Sequence, residues 1–152
     1  MKESLYRYIQ QKDSLISRFQ KDKGDICLSI HQRITALAEG FGPLTEEEEK
    51  IFSYMYIKSL LSVFATLYAP SARLSGKEKR AFVKGVLSQE AISKAKSFPD
   101  TCGRSFRILA AVVKTRSVSL NLFSAFGVRL LSRLLPEVFR RAKHALNEEK
   151  GK

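Results

Sequence analysis

Residues 45–69 read Thr45-Glu46-Glu47-Glu48-Glu49-Lys50-Ile51-Phe52-Ser53-Tyr54-Met55-Tyr56-Ile57-Lys58-Ser59-Leu60-Leu61-Ser62-Val63-Phe64-Ala65-Thr66-Leu67-Tyr68-Ala69, and Pro70 follows. Thr45 and Glu48 have capping-box spacing: the Thr45 hydroxyl takes the Glu48 amide, and the Glu48 carboxylate returns to the Thr45 amide. The acidic run lies at the positive end of the helix dipole, where each carboxylate is worth a few tenths of a kcal/mol, so helix initiation accounts for it without a metal site. Behind the cap, Phe52, Met55, Tyr56, Leu60, Val63, Phe64 and Leu67 recur at helical spacing. Such a stripe predicts a long helix at the centre of a core, ended at about Ala69 by Pro70.

Upstream, Ile26, Ser29, Ile30, Ile34, Leu37 and Ala38 keep the same period. They predict a first helix that follows the charged break Gln20 to Gly24, with Asp25 as N-cap and Gly40 as stop. Leu5 to Ile9 alternates in the manner of a short strand, followed by a polar turn at Gln10 to Asp13. Downstream, Ser75-Gly76-Lys77-Glu78 repeats the capping-box spacing and opens a helix that turns Phe82, Val83, Val86 and Leu87 inwards. Ser88 is read as the cap of a short helix, Gln89 to Lys96. Phe98 to Gly103 is a Pro/Gly linker.

Arg104 to Leu146 is an apolar tract punctuated by single basic residues, predicted as two helices broken near Thr115 to Ser117. Placed on a helix from Val118 to Ala142, Val128, Leu131, Leu134, Leu135, Val138 and Ala142 share one side. Arg129, Arg133, Arg140 and His144 line another, with Arg141 beside them. Phe106, Phe123, Phe126 and Phe139 are expected to pack. Pro136 either kinks the last helix or starts a new one. The expected architecture is all-α, or nearly so: a compact domain of about five to seven helices over residues 1–147, with a short extended N-terminal segment and a frayed basic tail at 148–152.

With 152 residues and 44% apolar content the chain can bury a core without disulfides. Cys27 and Cys102 are therefore read as reduced, and the compartment as cytoplasmic, at the inner face of the cell membrane. No apolar run reaches the roughly 18 residues a membrane span needs. The charge is lopsided. Residues 1–70 hold nine Lys and Arg against nine Asp and Glu, so the remainder holds eighteen against six and the whole excess of +12. A field of that kind suits a long-range anionic partner.

Catalytic chemistry is hard to assemble. His31 and His144 lack ligands at metal spacing, no glycine-rich phosphate loop occurs, and no serine sits in a nucleophile elbow. No catalytic residue, cofactor or metal is expected, and the chain alone is read as inactive.

The run Leu5-Tyr6-Arg7-Tyr8-Ile9-Gln10-Gln11-Lys12-Asp13-Ser14-Leu15-Ile16 resembles the segment after the catalytic-base region of bacterial family 2 glycosyltransferases, which commonly reads Leu-Tyr-x-Tyr-Arg-Gln-x-x-Gly-Ser-Ile. Leu74 to Phe82 and Leu87 to Glu90 resemble the helical extension those enzymes carry. The resemblance implies the non-catalytic tail of such an enzyme, serving glycan or cell-envelope polysaccharide assembly. The Asp-x-Asp motif and the catalytic base of the family are missing, so it implies a fragment, a truncated open reading frame or a free-standing descendant of the tail. Tyr6, Tyr8, Gln10 and Ser14 match positions beside the family's donor site, whereas Ile9 replaces Arg and Asp13 replaces Gly.

The expected partner is an anionic membrane surface, met through Arg129, Arg133, Arg140, Arg141 and His144. The alternative is a nucleic-acid-binding or protein-interaction module, a homo-oligomer included, with nucleic acid the less favoured because no readout motif is visible.

Overall fold

The computed structural model describes residues 18–95 and 97–134. Among them are six helices and no strand: α1 Lys23–Glu39, α2 Glu46–Thr66, α3 Gly76–Leu87, α4 Ala91–Lys94, α5 Arg104–Lys114 and α6 Val118–Leu134. The domain is all-α. The N-terminal stretch expected to be extended, the frayed tail and Pro136 lie outside the described residues.

Both capping boxes form. The Thr45 amide donates to Glu48 Oε2 at 2.8 Å and the Glu48 amide to Thr45 Oγ1 at 3.3 Å. Ser75 and Glu78 repeat the exchange at 2.7 and 3.3 Å. Each pair satisfies two amides that have no partner within the helix. Their partners hold the Glu48 and Glu78 carboxyls below the usual range. Thr45→Ala is expected to lower unfolding free energy by about 1 kcal/mol, read as an earlier urea midpoint at unchanged slope.

α2 is the hub, touching α1 on one side and α5 and α6 on the other, while α3 lies on α6. Its Tyr56, Ile57, Leu60, Val63, Phe64 and Leu67 are buried with Val83, Val86 and Leu87 of α3 and Ala110 and Val113 of α5. Met55 departs from the expected stripe. It is 47% exposed, while Ile57 is sealed at 0%. His31 of α1 stacks on Tyr56 at 4.6 Å, while Ile51 and Met55 stay partly exposed. α2 also ends at Thr66, short of Ala69: the Leu67 and Ala69 amides reach back only three residues, tightening the last turn before Pro70.

Two expected caps are corrected. α1 begins inside the charged break, with Asp22 rather than Asp25 at the N-cap position and no side-chain bond there. Asp25 instead accepts from Gln89 Nε2 at 3.3 Å, tying α1 to the end of α3. Gly24 is a packing residue, since a Cβ there would lie 2.6 Å from Val86 Cγ2. Ser88 closes α3 rather than opening the next helix: its hydroxyl donates back to the Gly85 carbonyl at 2.7 Å, and α4 follows from Glu90 without a side-chain cap. Gly40 does terminate α1: its amide donates to the Ala36 carbonyl, and the Phe41 amide to that of Ala38.

Candidate docking surface

The break predicted near Thr115 to Ser117 is a sharp corner in which Arg116 takes φ 55°. A non-glycine residue holds that left-handed conformation only where its surroundings fix it. Here Arg116 reaches the Gln89 carbonyl at 3.4 Å and also bonds Ser93 Oγ. Asn121, buried at 1%, completes the corner by donating from Nδ2 to the carbonyls of Val112 at 3.1 Å and Ser117 at 2.9 Å. Buried hydrogen bonds of this kind fix α6 against α5.

With Asn121 and the small Ala125 buried, α6 rests on its neighbours through a narrow strip. Tyr68 holds the same side, its hydroxyl donating to the Leu122 carbonyl at 3.3 Å and its ring meeting Phe126 edge-on at 5.4 Å. The rest of the apolar circumference faces out. Phe123 is 75% exposed and Leu131 53%, and Leu120, Phe126 and Leu130 share that face. This corrects two expectations. Phe123 does not pack, and Val128 and Leu131, placed on one side, divide between partial burial and exposure. The cause is that Asn121 and Ala125 take the inward azimuth: a helix apolar at nearly every azimuth can bury only one of them.

No acidic residue occurs from Thr101 through Leu134, while Arg104, Arg107, Lys114, Arg116, Arg129 and Arg133 do. Several of these cations are turned back into the protein. Arg107 binds the Cys102 carbonyl at 3.3 Å and Asp100 Oδ1 at 3.3 Å. Lys114 lies 4.4 Å from the centre of the Phe98 ring, and burial draws its ammonium below the usual lysine range. Arg129 is half-buried, with its Nε inside the protein. Arg140, Arg141 and His144, like Tyr6, Tyr8, Gln10 and Ser14, lie outside the described residues.

No family model, curated protein or solved structure matches this chain. Its chemistry therefore has to be taken from its own surface. Among the described residues no helix is long and apolar enough to cross a membrane.

A second exposed apolar strip runs along α1 through Ile26, Ile30 and Leu37, beside Met55. Between α1, α2 and α4 lies a cleft of about 330 Å³ lined by His31, Thr35, Glu39, Glu49, Ser53 and Lys94. No group of three or more His, Cys, Asp or Glu among the described residues is arranged to hold a metal. Burial lowers the His31 pKa below its ordinary 6.5. A histidine kept neutral in the fold is protonated first in the unfolded chain, so its contribution is lost as pH falls below about 6.5. The melting temperature is expected to fall between pH 7 and pH 5, and less steeply for His31→Gln.

The sequence missed Leu120, Phe123, Leu130 and Leu131 as a surface. The one available signal was Asn121, whose polar side chain in an apolar run marks an azimuth that must be hydrogen-bonded. Sequence alone cannot tell a wet partner from a buried carbonyl.

Proposed function

We propose that this chain is a peripheral docking domain that lays the outer face of α6 on an anionic membrane surface. The observation that carries the reading is the 75% exposure of Phe123 within the apolar outer face of α6, in the part of the chain that holds the whole positive excess. An exposed patch of this kind marks an interaction surface, and acidic lipid complements the cationic half of the chain. Apolar side chains of α6 enter the boundary of the acyl layer, and each Lys or Arg near the headgroups adds roughly 1 kcal/mol.

The likeness to a glycosyltransferase tail lends this proposal nothing: Leu5 to Ile16 lies outside the described residues, and Ser75 to Glu78 has a local role as a helix start. Co-sedimentation with phosphatidylcholine vesicles, with and without phosphatidylserine, tests the proposal. Binding that requires the anionic lipid and weakens with salt supports it. Equal binding to both vesicles, or to neither, overturns it. A protein-interaction module is the second reading, favoured by the separate apolar strip on α1; it predicts a mass in solution that rises with concentration.

A further inference from the structure

α1 carries an apolar stripe that the rest of the domain leaves open. Ile26, Ile30, Ile34 and Leu37 follow one another by four, four and three residues, which keeps them within about 80° of arc on a helix of 3.6 residues per turn. Phe41 continues the line just past the Gly40 cap and is 89% exposed; Leu37 is 67% exposed, and the three isoleucines are open as well. The stripe does not end at α1. Met55 of α2 shares a small groove with Ile30 and Ile34, and Ile51, one turn before Met55, is also exposed. Seven large apolar side chains thus form one surface, of the order of the roughly 800 Å² that each partner gives to an interface of standard size. A surface of that extent marks a contact with another molecule.

Charge chooses what can lie on it. α1 packs on α2, while α5 and α6 pack on the same hub with no comparable contact to α1. The stripe therefore lies in the half of the sequence that is neutral, nine basic against nine acidic residues over 1–70, and apart from the helices that hold the excess. Two copies can meet here without bringing their cationic halves together. Within the neutral half the signs are also sorted. Arg18, Lys21 and Lys23 stand against Asp22 and Asp25 at the start of α1, whereas Glu39 and Glu46 through Glu49 stand against Lys50 at its other end. A surface slightly basic at one end and strongly acidic at the other complements a copy of itself turned end for end. The apolar residues fit the same operation. A two-fold axis near Ile34 sets Ile26 opposite the copy's Phe41 and Ile30 opposite its Leu37, because both pairs are centred on that point of the chain.

We propose that α1 and the exposed edge of α2 form a two-fold dimer interface with a second copy of this chain, the two α1 helices antiparallel and Ile34 near the axis. The proposal rests on the protein-interaction reading, to which it gives a partner, and not on membrane docking, since the outer face of α6 takes no part in it.

Sedimentation equilibrium of the full chain over about 1–100 µM tests it. A mass approaching twice that of one chain is expected for the parent and for Phe123→Asp. In the double variants Ile30→Lys/Leu37→Lys and Ile30→Glu/Leu37→Glu each copy repels its like, and every dimer loses both apolar positions twice. Dimerisation is expected to weaken by roughly a hundredfold or more in each. Mixed in equal amounts, the two variants carry opposite charges on facing positions and are expected to recover a one-to-one dimer, which a misfolded variant could not do. Ile34→Lys and Ile34→Glu, which meet at the axis, repeat the test if a double variant does not fold. A dimer that survives in each charged variant alone, that Phe123→Asp abolishes, or that the mixture fails to restore overturns this interface and leaves the interaction reading standing. A single-chain mass over the whole range, the result if residues 1–17 of the same chain cover the stripe, overturns both.

Discussion

Phe123→Asp is expected to leave the protein in the supernatant of anionic vesicles that sediment the parent chain. Burying a phenylalanine side chain is worth about 1.5–3 kcal/mol, which corresponds to roughly ten- to more than a hundredfold in the partition coefficient. The aspartate adds repulsion from the same headgroups. Because Phe123 is 75% exposed, the substitution removes little packing, and unfolding free energy is expected to stay within about 0.5 kcal/mol of the parent. Loss of vesicle binding with stability intact isolates the surface; unchanged binding removes α6 as the docking element.

Phe64→Ala is expected to produce the largest loss of stability, about 3–5 kcal/mol. The ring is 2% exposed on the hub helix, in one cluster with Leu60, Val83 and Val113. Against a total of about 5–15 kcal/mol for a domain of ordinary stability, such a loss brings the chain near its folding threshold at 37 °C. Urea denaturation followed by far-ultraviolet circular dichroism reads it. Met55→Ala, in the same helix but 47% exposed, is expected to cost under 1 kcal/mol. If the two variants unfolded alike, the assignment of α2 as the centre of the core would be wrong.

Helix starts were legible wherever a cap had two cooperating members. Thr45 with Glu48 and Ser75 with Glu78 place α2 and α3 to the residue, because both side chains have one favourable use at that spacing. Single polar residues misled. Asp25 and Ser88 have the chemistry of caps, yet one binds Gln89 across the fold and the other bonds backwards within α3, choices made by tertiary contacts. Orientation was the larger gap. Neighbours such as Met55 and Ile57 are both apolar, so only the placement of the surrounding helices decides which is covered. The same ambiguity hid the outer face of α6. Of the candidate cations, Arg129 is half-buried rather than turned to solvent. The apolar residues that define that face carried no mark in the sequence beyond being apolar.

The corner at Arg116 brings two helices together in a stretch without a single acidic side chain from Thr101 through Leu134. A net charge of +12 repels itself more in the folded domain than in the open chain, and dissolved ions relieve that repulsion. Added salt is expected to raise the melting temperature of the free domain while loosening its hold on acidic lipid. Ionic strength thus drives the molecule's two properties in opposite directions, so the salt range in which it is most robust in solution is the one in which it adheres least.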